Sequence, residues 1–159
     1  MKKNLILIII LTFIASCEKD DICIDPTTPH LIIRFYDKDN TSEVKKVTNL
    51  KITVKNSFDE IVEIGSVVTT DSIALPLNVD IDITKVYLTK NVNDTSPGIE
   101  DVFDVNYSRD EVFVSRSCGY KTVYSNVNAT NITNAWLQNI SFVSTEINNE
   151  NQAHLTIFH

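Results

Sequence analysis

The chain has 159 residues, 43% of them hydrophobic, with a formal net charge of −7, three cysteines and only three glycines. That length fits one ordinary domain with a sizeable core. The acidic balance argues against nucleic acid as a partner and against anionic lipid held by charge alone.

The N-terminus reads Met1-Lys2-Lys3-Asn4, then an apolar run from Leu5 to Ile14, then Ala15, Ser16 and Cys17. Two lysines, a short apolar stretch and small residues are the pattern of a secretory signal peptide. A membrane-spanning helix needs about 20 apolar residues, and this run stops short of that. Ile14-Ala15-Ser16-Cys17 resembles a bacterial lipobox. The resemblance implies that residues 1–16 are cleaved, that Cys17 carries diacylglycerol on its sulfur and that a further acyl chain sits on the new amino terminus. Two or three chains anchor a protein durably, where a single chain gives only marginal binding. Glu18-Lys19-Asp20-Asp21 resembles the signal that takes Bacteroidota lipoproteins to the cell surface; the plainer reading of 17–29 is a solvated acidic tether. The expected location is the outer membrane, exposed at the cell surface or else facing the periplasm. Loss of Lys2 and Lys3 would take the charge from −7 to −9.

From Pro29 onward the pattern is that of strands, and 30–159 reads as one β domain. Leu31–Tyr36 opens it, and Leu50 to Lys55 alternates apolar Leu50, Ile52 and Val54 with polar Lys51, Thr53 and Lys55, as a half-buried strand does. The same period recurs over 60–68, 72–77, 83–89, at Phe103, Val105 and Tyr107, over 111–117, 140–147 and 153–158. Short strands at about ten-residue spacing predict an all-β fold, a single antiparallel β-sandwich of immunoglobulin-like or jelly-roll-like kind. Pro76 belongs at a strand end or edge. Hairpin loops are expected at Tyr107–Glu111 and Asn148–Asn151, with asparagine supplying the turn chemistry that glycine often does. One short helix is expected near 131–138, with Trp136 plugging an end of the core.

With Cys17 assigned to lipid, Cys23 and Cys118 remain in an exported chain, where disulfides persist. Their pairing would close a loop of 118 − 23 = 95 residues. Two free structural thiols, or a reactive Cys118, stay open as alternatives; Arg116 is near Cys118 in sequence but no histidine is.

CEKDDIC, TPHLIIRFYD, DSIALPL, SRSCGYK and AHLTIFH together resemble an uncharacterised family of small Bacteroidota lipoproteins, a domain of unknown function. The resemblance spans nearly the whole mature chain. It implies a location and a compact β domain, and brings no activity, ligand or catalytic residue.

Candidate chemistry is sparse. His30, His154 and His159 lack the spacing of a compact metal site. Asp37 to Glu43 resembles the start of a calcium loop, but Ser42 stands where glycine is required and Thr48 where the bidentate glutamate belongs. Asp80 and Asp82 alternate with Ile81 and Ile83 as a possible carboxylate pair without a partner acid. Asp71-Ser72-Ile73 resembles the O-glycosylation sites of exported Bacteroidota proteins, which would place sugar on Ser72. No phosphate loop, nucleophile elbow or zinc ladder is present, so no catalytic residue, cofactor or metal is expected. The function so read is a lipid-anchored binding or accessory module for an envelope protein or glycan; the alternatives are a structural envelope protein and, behind it, a hydrolase with an unrecognised site.

Overall fold

The computed structural model describes residues 22–23, 27–93 and 95–159. The signal peptide, Cys17, the charged tetrad 18–21 and Pro26 lie outside the described residues. Ten strands form two sheets: β1 (Leu31–Tyr36), β2 (Val47–Lys55), β3 (Ile61–Glu63), β4 (Val68–Thr70), β5 (Ser72–Leu75), β6 (Ile83–Lys90), β7 (Ile99–Ser115), β8 (Gly119–Thr130), β9 (Asn139–Phe142) and β10 (Leu155–Phe158). One sheet has the order β5-β1-β10-β9. The other has β3-β2-β6-β7-β8, with β4 also on β2. This is the expected all-β sandwich, with one departure from antiparallel order: β1 and β10, near the two ends of the chain, run parallel from Ile33↔Leu155 to Tyr36↔Phe158.

Alternation explains the layers. Leu31, Ile33 and Phe35 of β1, Leu50, Ile52 and Val54 of β2, Val86 and Leu88 of β6, Phe103, Val105 and Tyr107 of β7 and Leu155 and Ile157 of β10 all point into one core. Both open sides of the sandwich are crossed by the chain. At Asp71 it passes from β4 in one sheet to β5 in the other, its carbonyl accepting the Phe35 amide at 2.9 Å. Beyond β9, Thr145 and Ile147 return to β8, where the Tyr124 and Ile147 amides exchange bonds of 3.0 and 2.8 Å. Pro76 follows the last residue of β5, as expected.

Three expectations are corrected. No helix forms among the described residues, so 131–138 is an irregular connection. The reason lies 30 residues away. Asp101 on β7 is fully buried and takes four bonds of 2.7 Å, from the Thr133 hydroxyl and the Ala135, Trp136 and Leu137 amides. Burial by itself raises the Asp101 pKa, but the Leu137, Ala135 and Trp136 amides and the Thr133 hydroxyl outweigh it and hold the carboxyl below the usual range. Amides spent on that carboxylate are directed across the chain and not along a helix axis. Second, Tyr107–Glu111 is no loop: it lies inside the 17-residue β7, and the hairpin turns at 116–118 instead. Third, 119–130, to which the sequence pattern assigned no strand, forms the 12-residue β8.

The β7–β8 hairpin is longer than the sandwich. Asn106 pairs with Ile83 at the start of β6; β8 still bridges to Ile147 at Tyr124, and beyond Arg109↔Tyr124 the two strands continue as a two-stranded arm to Ser115↔Gly119. Cys118 at its turn is disulfide-bonded to Cys23, Cα to Cα 4.9 Å, so the expected pairing is present.

Candidate functional site

A concavity of about 810 Å³ lies on the outer face of the larger sheet. Its floor is made by strand register. Lys51, Thr89 and Glu100 stand in one row across β2, β6 and β7, and Thr53 and Tyr87 stand in the next. These are the outward positions between core residues, so the alternation that builds the core also builds the floor. Thr89 Oγ1 donates to Glu100 Oε2 at 3.3 Å, and Lys51 pairs with Glu63 of β3 at 3.2 Å. Ile61, exposed on β3, forms one rim.

The β6–β7 connection, 91–98, forms the other rim. Asn91 and Gly98 both take positive φ, 59° and 84°, at its two ends. Asn93 Oδ1 accepts the Thr95 amide and hydroxyl at 2.9 and 2.8 Å, and Ser96 Oγ accepts the Gly98 amide at 3.2 Å. Gly98 is required twice over: besides its φ, a Cβ there would stand 2.5 Å from the Lys90 carbonyl oxygen and 2.9 Å from the Thr89 methyl. The groove thus offers one aromatic ring, several hydroxyls and amides, one cation and one carboxylate on a rigid sheet. It is equipped to hold a polar, extended ligand by hydrogen bonds and ring stacking.

The residues singled out from sequence are dispersed. Ser72 is half-buried at the start of β5 and its hydroxyl donates to the Ile33 carbonyl at 3.1 Å, a bond that a sugar on that oxygen would break. His154 is buried just before β10, where its Nδ1 accepts the Ile32 amide at 3.0 Å and burial lowers its pKa. His159, likewise lowered by burial, lies edge-on to Trp136 with centroids 5.6 Å apart. His30 contacts Glu150 at 2.6 Å. Asp37 spends Oδ1 on the Asp39 and Asn40 amides, and Lys45 sits 2.9 Å from its other oxygen. The Lys45 contact and then those amides bring its pKa down to about 2. Asp82 is bonded by Arg109 at 2.6 Å and Asp80 by Ser57 at 3.1 Å. Among the described residues no three His, Cys, Asp or Glu side chains cluster as a metal site would require. Trp136 is buried, donating to the Leu88 carbonyl at 3.2 Å beside Phe35, and closes one end of the core.

Two polar centres were invisible in the sequence. Asp101 is one. The other joins Tyr107 to Thr84 at 2.7 Å and to the Asn78 carbonyl at 3.0 Å, with Tyr124 edge-on to Tyr107 at 5.0 Å; burial pushes the Tyr124 hydroxyl up to about 12. Both are interior supports. The groove residues carried a signal, the polar half of each alternating strand, but only the register shows that they share a floor.

Residues 37–159 match the family of unknown function DUF6452. No curated protein and no solved structure matches the chain.

Proposed function

The chain belongs to this family of unknown function, and we propose that it is a lipid-anchored recognition module of the bacterial envelope whose outer-sheet groove binds a glycan. The groove carries the reading. Tyr87 supplies a ring for stacking, and Thr53, Thr89, Asn93, Thr95 and Ser96 supply neutral donors and acceptors around it, the mixture that polyhydroxylated ligands need. Anchoring rests on Ile14-Ala15-Ser16-Cys17, and the Cys23–Cys118 disulfide supports it in two ways. It suits an exported chain, and it leaves Cys17 as the odd cysteine.

The test is titration of purified protein against a panel of soluble envelope oligosaccharides, with Tyr87→Ala alongside. A binder should lose affinity about tenfold in the variant, as loss of one stacking ring predicts. A panel without any binder, or one bound equally by Tyr87→Ala, defeats the reading. Cys17→Ala should leave the precursor uncleaved and unacylated. Protease shaving of intact cells distinguishes a surface-exposed domain from a periplasmic one.

A protein partner has its own supporting observation. β3 and β4 form the open edge of the larger sheet, and Phe58, Ile61, Val62, Val67 and Val68 are exposed along it. A strand added there would pair with free backbone groups and cover those side chains. Crosslinking from that edge in native membranes, with recovery of one defined partner, would favour this reading over the groove.

A further inference from the structure

We propose that the tip of the β7–β8 arm is a membrane contact, where Phe113 and Tyr120 enter the headgroup region of the bilayer and hold the 91–98 rim of the groove away from it. Phe113 and Tyr120 pair across the two strands with rings edge-on, centroids 5.4 Å apart, and are 55% and 67% exposed. Val112, on the opposite face of the hairpin, and Ile22 on the tether are 42% and 81% exposed. A two-stranded arm has no second layer to cover such residues, and nothing within the described chain does.

Covalent reach identifies what covers them. The arm's turn is bonded through Cys118 to Cys23, and the Thr122 amide donates to Thr28 Oγ1 at 3.0 Å, so the tether and the arm travel together. From Cys17 to Cys23 is 23 − 17 = 6 residues, at most about 20 Å of chain. Given the lipid on Cys17, on which this inference rests, the tip is held within about 20 Å of the bilayer surface. Tyrosine and phenylalanine on an amphipathic surface favour that interface, where ring and polar edge both find a suitable medium. Residues 112–121 contain Arg116 and Lys121 and no carboxylate, but Asp110 and Glu111 precede them and the tether carries Glu18, Asp20 and Asp21, so the rings and not charge carry the contact.

The orientation then follows from the strands. Ile83, opposite the root of the arm, and Lys90, at the groove's loop, are the two ends of β6, about 23 Å apart. Trp136 and His159 lie at the Lys90 end. The groove therefore opens sideways on the sheet face, with its 91–98 rim at the end remote from lipid.

The experiment uses the full chain, processed and acylated in a bacterial host and reconstituted into phosphatidylethanolamine–phosphatidylglycerol vesicles containing lipid brominated near the headgroup end of its acyl chains. The natural Trp136, single and buried at the far end, is the built-in reference. Phe113→Trp and Tyr120→Trp should each add emission that the brominated lipid removes for the most part; Ile99→Trp, exposed at the far end, should add emission that survives. Intact mass is read on the same samples. Acyl mass present with no quenching of the arm variants, or equal quenching of Ile99→Trp, overturns the membrane contact and leaves the anchor standing. Acyl mass absent from Cys17 overturns both.

Discussion

The two ends of this sandwich are held by opposite means. At the far end, a connection without regular structure is fastened from within: Asp101 gathers three amides and a hydroxyl, and Trp136 and Leu137 are buried over the core. At the near end, a fully regular hairpin leaves the core behind and is fastened from outside by one disulfide. Regular secondary structure and mechanical security are thus separable. The irregular end should be the last to open, and the regular arm the first once its bond is cut.

Cutting that bond gives the largest expected effect. For a 95-residue separation, the chain-entropy model puts the loss in Cys118→Ser at about 4–5 kcal/mol, read as a fall in the denaturation midpoint that reductant reproduces in the native protein. Native-state hydrogen exchange should then quicken first over 110–123, with the amides of 135–137 still protected. Uniform quickening would show that the arm and the far end open as one unit, and the contrast would fail.

The opposite fastening is tested by Asp101→Ala. It strands three amides, those of Trp136 and Leu137 buried and that of Ala135 open to water; at about 1–3 kcal/mol for each buried one, a loss on the order of 3–4 kcal/mol is expected. The folded carboxyl has a lowered pKa. Its stabilisation is therefore complete above the unfolded aspartate value of about 3.9 and is lost as pH falls through the folded value. The gap between native and variant in denaturant titrations should stay constant near neutrality and narrow below about pH 4. A gap that widens in acid would mean that Asp101 is protonated in the fold.

The same contrast explains which parts of the structure could be read from residues alone. Leu50 to Lys55 and Ile83 to Lys90 alternate because one face meets the core and the other water, and both are strands. Tyr107–Glu111 looked like a turn because Ser108, Arg109 and Asp110 suit turns; Tyr107 is anchored in the core, and from Asp110 outward, where the arm stands free, both faces are wet and polar residues cost a strand little. The short helix expected near 131–138 was overridden by Asp101, more than 30 residues earlier, a tertiary effect that no local pattern encodes. The pairing of β1 with β10 joins residues more than 120 apart. The groove was half legible: Lys51, Thr53, Tyr87 and Thr89 were readable as outward positions, but the rows they form exist only in the register.

A smaller effect lies between the two ends, near the root of the arm. Tyr107→Phe removes a hydroxyl shared with Thr84 and the Asn78 carbonyl at 2.7 and 3.0 Å. The expected loss is about 1–2 kcal/mol, since Thr84 keeps the Asn78 amide as a partner. A loss near zero would show that the root of the arm is no stronger than its tip.

The smallest stability change belongs to Phe113→Ala, and its smallness is the point. A buried aromatic in this core, such as Phe103, costs about 3–5 kcal/mol when truncated. Phe113 is 55% exposed and touches chiefly Tyr120 across the arm, a cross-strand pair worth about 0.2–1 kcal/mol. Folding alone therefore gives little reason to place aromatic rings at the turn of an acidic protein's one unsupported hairpin. If Phe113→Ala leaves the denaturation midpoint nearly unchanged, the ring serves something outside the fold. A loss of several kcal/mol would instead make the arm tip part of a folded unit, and the distinction between the two ends would disappear.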